Sequence, residues 1–455
     1  MRLRLNLGLR RGYRMLRAGD TDAALAHFTG LIRRFPRDPE PFYELGKLYF
    51  KKGDWHQAQN YLLKVLERPL CPEIVDGILE MTNWWMVSSP LFYNSSPVFS
   101  PDGRHLLFCS AREDTNGDGK MDATDRAAVC VFDVKTGVLS EIVSNLYHNA
   151  TPIWSPDGHS IAYFSSRPDS QLYLMNVETH EETLLVPAPY HPRYPVFTPD
   201  GQSLIVCTVD TPGGPSGLSI INLQTKARQT LTSHAWEHTY PQLSADGRWL
   251  LYISWRRDTL GRGRVTLEDN PGIYLMDLES KREQALVSDQ FSNAFPRFSP
   301  NARSILYLAR RTDTNRDGKI DHLDNYGIYA LRLADRKEKR LSTDVRYNKF
   351  PSWSADGKSV LFISHWPERD RKPDWVTEDY FEFKGLYKVP AMGGKAQRIV
   401  SDKFFGSRFC EVCPRGALVA YVSWRPKGNR GLYIADYEKS PSPHQLRGFI
   451  QNNLT

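Results

Sequence analysis

The chain has 455 residues, 59 basic and 52 acidic for a formal charge of +7, with 40% hydrophobic residues and only 6 cysteines. That length and apolar content exclude both a disordered chain and a small disulfide scaffold, and the charge excess is too dilute to mark a nucleic-acid binder. The longest apolar runs, such as Ala417 to Val422, are far shorter than the roughly 18 residues a membrane helix needs, so no transmembrane segment is expected.

The first turns are basic: Arg2, Arg4, Arg10, Arg11, Arg14 and Arg17 precede the first acid, Asp20. No run of about 7 to 15 apolar residues follows to make a signal peptide, so the sequence as written reads as cytoplasmic. A true start upstream would make it periplasmic or secreted. Residues 1–70 repeat with a period of 34: Gly12 matches Gly46, Gly19 matches Gly53, Ala24 matches Ala58, Phe28 matches Leu62 and Leu31 matches Val65. The period fits two short helices, with Leu45, Gly46, Tyr49 and Ala58 placed where an antiparallel pair needs bulk and close approach in turn. This resembles the tetratricopeptide repeat, which implies a protein or peptide partner. Arg11 stands where the second copy has Leu45, so the outer edge of the first copy is expected to fray. Residues 71–90 read as a capping helix, from about Pro72 to Met81, and a linker.

A second repeat fills residues 91–447, ahead of a tail over 448–455. Pro97-Val-Phe99-Ser-Pro-Asp102-Gly103 recurs from Pro152, Pro195, Pro241, Pro296 and Pro351, and a degenerate seventh copy runs from Cys410 to Gly416. Each copy reads as a strand, a Pro-Asp-Gly reversal, a second strand carrying Phe108, Tyr163, Val206, Tyr252, Tyr307, Phe362 or Tyr421 in phase, and then two more strands. Four antiparallel strands per period make a β-propeller blade. The predicted fold is therefore mainly β, a seven-bladed propeller with six blades as the alternative, preceded by a small helical region. The motif resembles the TolB-type, WD40-like propeller repeat. Either Trp84–Ser88 or Gln445–Phe449 could supply the last outer strand.

Three blades carry insertions between their second and third strands. Asp114, Asn116, Asp118, Lys120, Asp122 and Asp125 place oxygen donors at positions 1, 3, 5, 7 (a backbone carbonyl), 9 and 12 of one loop, with Gly119 at position 6; Asp313, Asn315, Asp317, Lys319, Asp321 and Asp324 repeat the set. Alternate oxygens round a tight glycine turn suit a hard cation, and the loops resemble the calcium loops of EF-hands and dockerins. Two calcium ions are expected, each as a structural staple. The blade-four insertion keeps Asp258, Gly263 and Asp269 but has Leu260, Arg262 and Thr266 at ligand positions. There Arg262 is expected to pair with Asp258 or Asp269, and no ion to bind.

Three residues ahead of each blade motif stand Asn94, Asn149, Pro192, His238, Asn293, Asn348 and Ser407, near one mouth of the channel. They read either as ligand-facing amides or as side chains that satisfy turn backbone. His148, His191, His234, Glu237 and His238 gather in the same loops but lack a fixed ligand spacing. Cys410 and Cys413 form a lone CxxC, read as strand filler. No Gly-x-Ser-x-Gly elbow accompanies the propeller, which speaks against a peptidase of the prolyl oligopeptidase kind. The expected function is a non-enzymatic protein-binding scaffold. The alternative is a channel enzyme acting on polysaccharide, resembling oligogalacturonate lyase.

Overall fold

The structure, a computed structural model, describes residues 2–438 except 53, 71–73, 75–77, 79–85, 89–91, 145, 168–170, 187–189, 212, 289, 315, 321–323, 343–346, 366–384, 402–407 and 425–429, together with 447. The chain divides into two compact units, residues 1–86 with 438–455, and residues 87–437.

The fully described helices of the first unit are α1 (Arg2–Arg17), α2 (Thr21–Arg34), α3 (Pro39–Lys52) and α4 (Trp55–Val65). The 34-residue period fixes how they start and where they touch. Asp20 and Asp54, one period apart, cap α2 and α4, each carboxylate accepting at 3.0 Å the amide three residues on. A Cβ on Gly12 would stand 2.4 Å from the Phe28 ring, and one on Gly46 would stand 2.6 Å from Leu62, so only hydrogen lets each helix lie against the next. Ala24 and Ala58 are fully buried for the same reason. The expected fraying of α1 is not observed. Arg11 faces solvent, but Leu5 and Leu9 fill the seam and the helix is unbroken. Ile74 and Ile78 are helical and buried with Leu62 and Val65; the rest of the cap expected over Pro72–Met81 lies outside the described residues.

The second unit is a propeller of seven four-stranded antiparallel blades, not six. The innermost strands are Tyr93–Phe99, Asn149–Trp154, Arg193–Phe197, His238–Leu243, Asn293–Phe298, Tyr347–Trp353 and Arg408–Val412. The repeated Ser-Pro-Asp-Gly reverses each chain through side-chain bonds. Ser155 Oγ donates to Asp157 and accepts the Ser160 amide at 2.9 Å, while Asp157 accepts the His159 amide at 3.0 Å. Ser244 with Asp246 and Ser354 with Asp356 do the same. In the degenerate copy Cys413 and Arg415 replace the serine and the aspartate. The thiol then donates to the Arg415 carbonyl at 2.8 Å, and the turn survives. Cys410 and Cys413 are thus two buried free cysteines with separate packing roles.

Inside a blade, the aromatic of the second strand stacks on an aromatic of the third: Tyr163 on Tyr173, Tyr252 on Tyr274, Tyr307 on Tyr329, Phe362 on Tyr387 and Tyr421 on Tyr433, all with centroids 5.6–5.9 Å apart. Blades two, four and five add a charge to this stack. In blade four the Arg256 guanidinium lies 4.2 Å from the Tyr274 centroid and pairs with Glu283, which also accepts the Tyr252 hydroxyl. Arg167 with Glu182 and Tyr163, and Arg311 with Glu338 and Tyr307, repeat the arrangement. The apolar core lies between neighbouring blades, as where Leu107 and Val129 meet Ile161 and Tyr163.

The ring closes through β1 (Met86–Ser88), which pairs with the third strand of the last blade, Arg430–Asp436. Of the two expected closures the N-terminal one is observed; apart from Arg447, the segment Gln445–Phe449 lies outside the described residues. The insertions all leave the face on which the innermost strands begin. There the Trp255 and Arg310 amides, just past their second strands, donate to the carbonyls of Glu237 and Ser292, just ahead of the innermost strands. A fourth insertion separates His365 from Gly385, and residues 366–384 lie outside the described ones.

Candidate functional site: the mouth of the central channel

All seven innermost strands break their own ladder, the last between Arg408 and Cys410 and the other six at one equivalent place. In those six the register shifts between Ser95 and Val98, Ala150 and Ile153, Arg193 and Val196, Thr239 and Gln242, Ala294 and Arg297, and Lys349 and Ser352. Such bulges re-aim a side chain and cluster beside functional sites. The residue just before the proline takes a left-handed backbone at each of the six: φ is 52° at Ser96, 43° at Thr151, 53° at Tyr194, 52° at Tyr240, 51° at Phe295 and 49° at Phe350. None is glycine, and each costs roughly 1–2 kcal/mol that the surrounding sheet must offset.

All of these except Phe295 line the channel. A cavity of ≈ 220 Å³ takes Ser96, Thr151, Tyr194, Tyr240, Arg297, Phe350 and Glu411 as walls, one from each blade. Ring centroids lie 4.3 Å apart for Tyr194 and Tyr240, 5.1 Å for Tyr240 and Phe295, and 5.8 Å for Phe295 and Phe350, so an unbroken aromatic arc spans blades three to six. Ser96 and Thr151 supply hydroxyls from blades one and two. Arg297 reaches Glu411 at 3.3 Å from blade five to blade seven, cancelling the charge of both. Burial, and Tyr194 beside it, push the Tyr240 phenol up, so it keeps its proton and can donate. Tyr240 lies two residues inside the strand start, about 7 Å below the mouth, on the face that carries the insertions. Four aromatics in succession immediately before the motif proline were visible in the sequence; attention to the position two residues earlier missed them.

That earlier position is structural. Asn94, Asn149, His238, Asn293 and Asn348 are buried, at 0–1% exposure. Asn149 Nδ2 donates to Ala127 O at 3.0 Å, Asn293 Nδ2 to Pro271 O at 3.2 Å and Asn348 Nδ2 to Tyr326 O at 2.8 Å, each carbonyl opening the third strand of the preceding blade. The amides staple blade to blade. His238 takes the same place in blade four, with Nε2 3.2 Å from the Ser233 carbonyl and its ring edge-on to Tyr252. Burial, helped by the Arg256 charge, depresses its pKa to about 4. Ser407 lies outside the described residues. The other loop histidines are dispersed: His148 Nδ1 meets the Asp125 carbonyl at 2.6 Å, His234 meets Asp210 at 3.2 Å and His191 is exposed. Among the described residues no three His, Cys, Asp or Glu side chains gather round one point.

The three insertion loops share one internal scaffold. Asp125 takes the Thr115 amide at 2.7 Å and the Asp122 amide at 2.8 Å, and Asp269 takes those of Thr259 and Thr266 at 2.7 Å each. Asp324 takes the Thr314 amide at 2.6 Å. Position 1 is equally conserved in use, Asp114, Asp258 and Asp313 each receiving the amide five residues on. Burial works to raise Asp125 and Asp269, but these amide bonds outweigh it and hold both carboxyls low. Asn116 and Asp118 each accept the amide two residues ahead, at 2.9 and 2.8 Å, as Asp317 does from Lys319; Asp122 accepts that of Thr124. Asn315 and Asp321 lie outside the described residues. In the blade-four loop the expected pairing of the Arg262 guanidinium with Asp258 or Asp269 is not observed. It pairs instead with Glu268, an exposed partner six residues on, while Asp258 and Asp269 accept backbone amides of the loop.

Two known families match parts of this chain. Residues 118–262 match the TolB beta propeller domain and residues 15–69 the tetratricopeptide repeat. An uncharacterized peptidase of Bacillus subtilis is 23% identical over 223 residues, 49% of this chain and 30% of that protein, so the chain spans under a third of the length of this curated relative. An oligogalacturonate lyase in complex with manganese superposes with a TM-score of 0.57 at 15% identity, covering 78% of this chain and 93% of that one. A puromycin-hydrolyzing peptidase of Mycobacterium tuberculosis gives 0.57 at 14%, covering 78% and 52%, and the propeller of the trilobed protease from Pyrococcus furiosus gives 0.53 at 14%, covering 76% and 94%. At these identities the likeness is one of fold.

Proposed function

We propose that this chain is a non-enzymatic binding protein, in which the helical repeats hold a protein or peptide partner and the propeller presents its channel mouth as a recognition surface. The observation that carries the reading is the collar: left-handed, non-glycine residues recur at six equivalent positions that a ring needing only to fold could fill with glycine. The polysaccharide-cleaving alternative rests on likeness of fold to oligogalacturonate lyase. Assays of the full chain against oligogalacturonate and peptide substrates separate the two. No turnover is expected; turnover that falls in His191→Ala or His234→Ala would replace the binding reading with the enzymatic one.

Calcium belongs to the same proposal. Each loop oxygen that accepts one amide keeps a further lone pair for a cation, and the alternation over 114–125 and 313–324 supports an ion in each loop. The blade-four loop keeps the same scaffold with Leu260 and Arg262 at ligand positions, so an ion would stiffen a loop already shaped. Calorimetry is expected to register two ions per chain, and Asp118→Ala and Asp317→Ala to remove one each. Ions at 100 times Kd would stabilise the fold by about 2.7 kcal/mol per site. Absence of heat at millimolar calcium would reduce both loops to acidic hairpins.

A further inference from the structure

We propose that the aromatic collar binds the end of an uncharged oligosaccharide, an inference that rests on the binding reading above and names its ligand. Three features of the channel converge on that class. First, Tyr194, Tyr240 and Phe350 line the cavity with ring surface, Phe295 backing Tyr240 and Phe350 from behind, and the C–H faces of a pyranose pack against aromatic faces. Second, the polar groups beside the arc are hydroxyls and an amide: Ser96, Thr151, the two tyrosine phenols and Gln242. Each of these groups both donates and accepts, as sugar hydroxyls do, so they satisfy such a ligand in either sense. Third, the cavity offers no free charge among its described walls. Arg297 is paired with Glu411, so a uronate or a phosphorylated chain would lose its hydration shell without gaining a countercharge. The volume, ≈ 220 Å³, is below the roughly 300–1,000 Å³ of pockets that enclose drug-sized ligands, so the collar takes a chain end and leaves the rest of the oligomer at the mouth.

The strained backbone fits this role. A left-handed residue at the bulge turns its side chain off the sheet face, where the extended conformation would stand it perpendicular to the sheet and toward a neighbouring blade. The sequence spends this geometry on four aromatics in succession, and on two small hydroxyl residues where the ligand needs room.

The test is isothermal titration of the full-length protein with cellohexaose, maltohexaose, chitohexaose, hexagalacturonate and a polyproline decamer. At least one neutral hexasaccharide is expected to bind, with hexagalacturonate weaker. Tyr240→Ala should weaken binding by about tenfold or more, and Tyr240→Phe by less, because the ring surface remains. Tyr240→Gly removes the ring while relieving the backbone, so loss of affinity in a variant that melts no lower than Tyr240→Ala is loss of the site, not of the fold. Preference for hexagalacturonate, failure of every neutral hexasaccharide at millimolar concentration, or affinity unchanged in Tyr240→Ala would overturn the proposal. Binding of polyproline alone, with the same dependence on Tyr240, would overturn the saccharide class and leave the binding reading standing. Cleavage of a hexasaccharide would overturn the binding reading itself.

Discussion

Glu283→Ala is expected to destabilise the propeller by about 2 kcal/mol, read as a lower midpoint of denaturant unfolding. The carboxylate serves two partners at once, the Arg256 guanidinium and the Tyr252 hydroxyl, and the Tyr252 ring is fully buried. Alanine leaves a phenol and a half-buried cation over Tyr274 with nothing to replace the acceptor. Glu283→Gln, which keeps an acceptor for the tyrosine and loses the charge, should fall between. The hydrogen bond from Arg256 leads in holding the Glu283 carboxyl below its usual range. The stability it contributes is therefore present above the ordinary glutamate pKa and lost as pH falls through the lower folded value. The arginine and glutamate side chains retain 19% and 34% exposure, so a loss under about 1 kcal/mol would mean that solvent screens the pair as it does on an open surface.

His238→Asn should remove an acid-sensitive element from the ring. His238 has a folded pKa of about 4 against an ordinary value of 6.5, because burial and then Arg256 disfavour the imidazolium. Protons bind more readily to the unfolded chain, so stability is full above pH 6.5 and is lost progressively down to about pH 4. The whole effect is on the order of 3 kcal/mol. Asparagine occupies this position in four other blades and carries no charge. The variant should match the parent near pH 7 and unfold less readily at pH 4.5, with the gap closing smoothly between. Glu283 and His234 also face the imidazole, so the comparison belongs in one buffer series with the parent as reference. Equal loss of stability in both proteins on acidification would assign the effect to carboxylates elsewhere.

The repeats made the architecture legible. A 34-residue period predicts helix pairs because Gly12 and Gly46 mark contacts that tolerate no side chain, and the Ser-Pro-Asp-Gly copies predict blades because each encodes its own reversal. Legibility failed where identical spacing serves different partners. The asparagines before each blade look like a ligand ring in sequence, yet they reach sideways to a carbonyl of the neighbouring blade, a partner some 20 residues back that no motif records. The collar failed differently. A residue preceding proline is ordinarily extended, and nothing local announces the bulge that turns it left-handed; the ring contacts exist only once neighbouring blades have stacked. Arg262 is an exposed side chain with Glu268 also within reach, and sequence spacing does not choose among three nearby carboxylates.

The closing strand sets a timetable for synthesis. β1 leaves the ribosome long before its sheet partner among the described strands, Arg430–Asp436, which follows about 340 residues later; at roughly 5–20 residues per second that is some 20–70 s. Through that interval six blades can form and stack in sequence while β1 stays unpaired and the apolar faces of the two terminal blades stay uncovered, a condition under which nascent chains stick to one another. A chaperone that covers apolar surface would therefore be needed most after the sixth blade and before the last. Truncation inside the final blade would strand the chain in that open state permanently.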